Sequence, residues 1–125
     1  MFKDSPAFSG FSTNNIQQAK DFYHTILGVD TREENGMLTL HLSTGGEVLI
    51  YFKPNHEPAT YTVLNFVVEN IEKTVNELVQ KGVSFERYDG LEQDELGIMH
   101  GEPLIAWFKD PAGNILAVLE DKTIK

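Results

Sequence analysis

Asn15-Ile16-Gln17-Gln18-Ala19, running on to Gly28-Val29, is echoed by Asn70-Ile71-Glu72-Lys73-Thr74, running on to Gly82-Val83. Each copy follows a short apolar stretch, Phe8 to Phe11 before the first and Val63 to Val68 before the second, and each is followed by alternating, strand-like residues. Half of a 125-residue chain is too small to bury its own apolar face, so two copies must share a core. Paired units of this kind place a ligand in the concavity between their sheets. The repeat therefore points to a binding cavity before it points to any chemistry.

Working outward, Ala7 to Thr13 reads as a strand, and Asn14 or Asn15 as a helix cap that accepts from first-turn N–H groups. Ile16, Ala19, Phe22, Tyr23 and Ile26 recur at helical spacing, and Gly28 supplies the stop. Val29 to Glu34, Met37 to Leu42 and Val48 to Phe52 read as strands, separated by the turn dipeptides Asn35-Gly36 and Gly45-Gly46. The pattern then restarts. Tyr61 to Val68 is a strand, and Ile71, Val75, Leu78 and Val79 line a helix face. Val83 to Tyr88, Leu104 to Phe108 and Ile115 to Leu119 are strands. The predicted order is βαβββ twice: module one about 7–53, linker 54–60, module two about 61–120, in a single domain. The segment 89–103 is long and acidic, and is either a solvated loop or a lid.

Ten Lys and Arg against nineteen Asp and Glu give a net charge of −9, which repels phosphate backbones and anionic membrane surfaces. No basic–aromatic cluster and no apolar run of about 20 residues appears, so neither nucleic acid nor a membrane is an expected partner. With no cysteine there is no disulfide, thiolate nucleophile or Cys-zinc site. The N-terminus carries no signal-peptide apolar region, and the expected location is the cytoplasm.

Phe22-Tyr23 with Leu27-Gly28, and Trp107-Phe108-Lys109-Asp110-Pro111-Ala112-Gly113-Asn114 near the other end, resemble the opening helix and closing hairpin of the glyoxalase / bleomycin-resistance / extradiol-dioxygenase (vicinal oxygen chelate) superfamily. The resemblance covers about Ala7 to Glu120. It implies an α+β fold of two βαβββ modules, their mixed sheets wrapping around a cleft, and a homodimer. Enzymes of that group hold a divalent metal with four cleft positions, which fall here on Phe8, Tyr51, Val63 and Ala117. Phe, Val and Ala have no donor atom, and Tyr is a poor ligand unless ionised. No metal or other cofactor is therefore expected at those positions, while a set assembled from scattered residues is left open.

Strand alternation carries Leu49, Asn65, Val67 and Ile115 to the same faces as those positions, with Thr39, His41 and Trp107 beside them. The candidate ligand-binding residues are thus Phe8, Thr39, His41, Tyr51, Asn65 and Trp107, a mostly apolar lining with a few polar groups. Each has a plainer reading as a packing or hydrogen-bonding residue. His41 is either a structural histidine or a general base, and Tyr51 either fills space or donates to a ligand. Arg87 either pairs with Glu86 or reaches an anion. Two functions stand side by side. One is a binding protein for a small organic molecule, like the bleomycin-resistance branch. The other is a lyase or dioxygenase-type enzyme, metal-free with His41 or Tyr51 as acid/base, or with relocated metal ligands.

Overall fold

The computed structural model describes residues 1–124. The chain divides into two compact units, Met1–Glu57 and the part from Pro58 onward, the division falling within the stretch read as a linker.

The first unit contains β1 (Ser9–Thr13), α1 (Ile16–Lys20), β2 (Asp30–Glu34), β3 (Met37–His41) and β4 (Glu47–Phe52). The side chain of Asn15 accepts from Gln18 N at 3.0 Å and so fixes where the helix starts. After Lys20 the helix widens into a π-helical segment, Asp21–Ile26, closed by Leu27 N–H donating to Phe22 O at 2.9 Å. The sequence pattern predicts a helix here but not its widening. The wide turn lets adjacent Phe22 and Tyr23 both be buried, edge to face with centroids 5.3 Å apart, and Tyr23 is fully buried. The sheet order is β1-β4-β3-β2, with β1 parallel to β4 and the remaining pairs antiparallel. Asn35 and Gly36 both take positive φ, 54° and 75°, as a two-residue hairpin turn between β2 and β3 requires. Leu38, Leu40, Val48 and Ile50 fill the core face.

The second unit repeats the plan: β5 (Thr62–Val68), α2 (Ile71–Gln80), β6 (Ile105–Lys109) and β7 (Ile115–Glu120). Asn70 caps α2 as Asn15 caps α1, accepting from Lys73 N at 3.1 Å. Ile71, Val75 and Leu78 are buried, whereas Val79, expected on the same face, is half exposed. The sheet order β5-β7-β6, with β5 parallel to β7, matches β1-β4-β3 strand for strand. The fold is thus α+β with two mixed sheets from two βαβββ modules.

The strand expected over Val83 to Tyr88 shrinks to one bridge, Phe85 to Phe108, with Glu86 N–H donating to Trp107 O at 2.8 Å. The cause is Gln93. Its amide donates to Glu86 O and Gly97 O, at 2.9 and 2.8 Å, and its carbonyl accepts from Tyr88 N at 2.9 Å. A side chain thus takes the backbone partners that a longer strand would need. The segment 89–103 is neither bare nor solvated throughout. Met99 exchanges backbone bonds with Ile105, so the outer edge of β6 is partly paired.

Asp94 organises that segment. Its carboxylate accepts from Leu96 N and Ile98 N at 2.9 Å each, and from His100 Nε2 at 2.8 Å. Burial pushes its acidity the other way, but the bonds from His100, Ile98 and Leu96 and the charge of His100 outweigh it and hold the carboxyl below the usual carboxylate range. A depressed folded-state value means that Asp94 stabilises the loop fully above the unfolded value near pH ~3.9. That contribution is lost as pH falls through the folded value. The amide resonances of Leu96 and Ile98 are expected to titrate with a midpoint below that of an unstructured aspartate, and Asp94→Asn is expected to abolish the transition. An unshifted midpoint in an NMR titration would contradict this.

Candidate functional site

The open face of the first unit's sheet is fixed by register. Leu38 pairs with Ile50 and Leu40 with Val48 on the core face. The alternate rows face away: Gly10, Leu49, Thr39 and Arg32 in one, and Glu47, His41 and Asp30 in the next. Phe8 stands just before β1 and is 68% exposed. On this face is a hollow of about 270 Å³, floored by Phe8, Leu49, Thr39 and His41 and rimmed by Arg32, Glu34 and Glu47.

The hollow thus gathers three of the sequence-predicted residues, Phe8, Thr39 and His41. Tyr51 shares the face but not the hollow. It lies four residues along β4 from Glu47, the cross-strand partner of His41, which is about 13 Å of extended chain. His41 and Tyr51 therefore stand well apart on that face. Asn65 and Trp107 belong to the second unit, where they flank Ala117 in a single row, Asn65–Ala117–Trp107. Trp107 is half-buried and meets Tyr88 edge to face at 5.6 Å. The hydroxyl of Tyr88 is buried without a hydrogen-bond partner. Burial, with Glu86 adding and Lys109 opposing, pushes its ionisation up.

Glu47, Arg32 and Glu34 were not singled out from sequence. Glu47 was within reach of the alternation rule, being two residues before Leu49. Its importance lies in His41: Nδ1 stands 3.1 Å from Glu47 Oε2. In the neutral ring the carboxylate favours the tautomer with the proton on Nδ1, leaving Nε2 as an acceptor. Nε2 is buried and has no partner. Arg32 and Glu34 approach to 3.7 Å on the exposed rim. With two carboxylates against one guanidinium, the rim is acidic.

Register also sharpens where a metal would have to be held. Gly10 pairs with Leu49 and Asn65 with Ala117, so Leu49 rather than Tyr51 is the internal counterpart of Ala117. Phe8, Leu49, Val63 and Ala117 offer no donor atom, and Tyr51 only a phenol. Such a set does not fit a divalent cation. Among the described residues there is no group of three or more His, Asp or Glu placed to hold one.

Other candidates have structural employment. Arg87 does not pair with Glu86: its guanidinium donates to Asp94 O and Glu95 O at 2.7 and 2.8 Å, and Glu86 pairs with Lys109 at 3.4 Å. A second hollow, about 730 Å³, opens at the ends of β5 and β7, bounded by Val67, Leu104, Leu119 and the chain turn at Gly101 to Pro103. Among the described residues no helix is long and apolar enough to cross a membrane.

Comparison with known proteins agrees with the geometry. The model of the Glyoxalase/Bleomycin resistance protein/Dioxygenase superfamily matches residues 8–118. A search of curated proteins finds no match. Among solved structures, a glyoxalase family protein from Enterococcus faecalis is 25% identical, with a TM-score of 0.70 over 96% of this chain and 100% of that one. A putative glyoxalase family protein from Bacillus anthracis gives 17% identity and 0.72 over 98% and 100%. The genomically encoded fosfomycin resistance protein FosX from Listeria monocytogenes gives 10% and 0.70 over 96% and 95%, a likeness of fold alone. With nearly its whole length matched and the duplicated βαβββ plan in place, this chain belongs to the glyoxalase/bleomycin resistance protein/dioxygenase superfamily.

Proposed function

We propose that the protein binds a small organic molecule in the hollow on the first unit's sheet, with the superfamily's usual metal positions given over to hydrocarbon. The observation that carries this is the buried, unpartnered Nε2 of His41, held in place through Nδ1 by Glu47. An unsatisfied buried polar atom costs about 1–3 kcal/mol, and because solvent does not reach Nε2 as the ring stands, a ligand donor recovers that cost once the ring turns toward the hollow. Phe8 and Leu49 supply apolar surface beside it, and the acidic rim favours a positively charged ligand.

Thermal-shift screening of aromatic and aliphatic amines is expected to yield compounds that raise the melting temperature. Titration calorimetry is expected to show His41→Ala weakening their binding about tenfold or more. Chelator treatment is expected to leave binding unchanged. A panel of cationic, neutral and anionic compounds that gives no stabilisation, or one equivalent of bound transition metal in protein purified without chelator, would sink the reading.

One observation favours a second reading, an enzyme. A histidine oriented by a carboxylate is the arrangement of a general base. In that reading His41 takes a proton from the bound molecule, and Glu47→Gln lowers kcat by a larger factor than it weakens binding. We also take the protein to be a cytoplasmic homodimer, and sedimentation velocity tests the dimer.

A further inference from the structure

A second chemical cluster lies on the first unit, away from His41. Ser12 Oγ stands 2.6 Å from His56 Nδ1. Both residues are half-buried, neither sealed from water nor loose on the surface. Ser12 is on the same face of β1 as Gly10, and its register partner across the parallel pair is Tyr51. His56 is fixed by its backbone: its N–H donates to Lys53 O at 3.0 Å, and Lys53 N–H donates to Thr13 O at 2.9 Å, which ties that turn to the end of β1. A hydroxyl, an imidazole and a phenol are thus presented together by two paired strands and a pinned turn.

We infer that Ser12 is a nucleophile activated by His56, able to take an acyl group from small activated esters. A serine hydroxyl is weak by itself and becomes reactive when a base within hydrogen-bond reach removes its proton as the new bond forms. In this arrangement the Ser12 hydroxyl donates to His56 Nδ1. Oγ attacks the ester carbonyl carbon, the carbonyl π pair moves onto oxygen, and the hydroxyl proton passes to Nδ1. The phenol of Tyr51 is the donor on that face for the developing oxyanion. Collapse re-forms the carbonyl and breaks the bond to the leaving alkoxide, which receives the proton from His56. Water then attacks the acyl-Ser12, giving its proton to His56, and the carboxylic acid leaves as Ser12 regains its hydrogen. No oxidant, reductant or metal enters the balance.

The cluster makes sense of Tyr51, which stands too far along β4 to work with His41 and beside Ser12 instead. It is independent of ligand binding in the hollow, so either can fail alone.

The test is incubation of the full chain with p-nitrophenyl acetate, followed by intact mass and peptide mapping at low pH. The expected result is one acetyl group per chain, mapped to Ser12. His56→Gln is expected to slow its appearance by about 100-fold, and Ser12→Ala to abolish it. Tyr51→Phe is expected to slow acylation without changing the site. Surface histidines also hydrolyse this ester, which is why the mapped adduct decides rather than the release of nitrophenolate. A folded protein that never carries acetyl on Ser12, or a His56→Gln protein that acquires it at the original rate, overturns the inference. The mapping on the unaltered chain decides even where a variant does not fold.

Discussion

Asp110→Ala is expected to destabilise the protein by about 3 kcal/mol or more, and to lower its melting temperature by about 10 °C. Asp110 is 5% exposed, and what its carboxylate holds is explicit. Oδ1 accepts from Ala112 N and Asn114 N at 2.9 Å each, and Oδ2 from the side-chain amide of Asn114 at 2.9 Å. Gly113 takes a φ of 87° and donates to Asp110 O, while Asp110 N–H donates to Asn114 O. Removing the carboxylate takes this acceptor from three donors in one turn, two of them on the fully buried Asn114. Asp110→Asn is the informative companion. It keeps the shape and one of the two acceptor oxygens, so a loss of stability in this variant reports hydrogen bonding and charge rather than volume. An Asp110→Asn protein as stable as the original in urea denaturation would refute that assignment.

Tyr23→Ala is expected to cost about 3–5 kcal/mol, a large share of the 5–15 kcal/mol typical of a domain. Its side chain is fully buried and packs on Phe22 at 5.3 Å and Phe11 at 6.3 Å. Tyr23→Phe keeps the ring and should retain most of the stability. Calorimetric melting of the two variants separates them: a Tyr23→Ala protein within a few degrees of the original would mean that the segment after Lys20 repacks.

What was legible in the sequence is what local chemistry dictates. Asn15 and Asn70 announce helix starts because an asparagine side chain satisfies first-turn amides wherever it precedes an apolar periodic run. Asn35-Gly36 announces a hairpin because both residues tolerate positive φ. The duplicated order and the open-face placement of Thr39 and His41 follow from alternation. Three things were not legible. Gln93 competing for the backbone of Glu86 and Tyr88 is a tertiary event that erased a predicted strand. The partnership of Ser12 with His56 spans 44 positions and depends on how a turn is pinned. The role of Glu47 emerged only when the β3–β4 register set it opposite His41.

The widened helical segment at Asp21–Ile26 has a consequence for the kinship of the two halves. The second copy caps its helix in the same way but keeps ordinary winding, and spaces its buried residues singly at Ile71, Val75 and Leu78. A graft of that later helix onto the earlier sheet would begin correctly and then arrive with no ring at all, leaving a void where two neighbouring aromatics now sit. Although they descend from one pattern, the halves have ceased to be spare parts for each other.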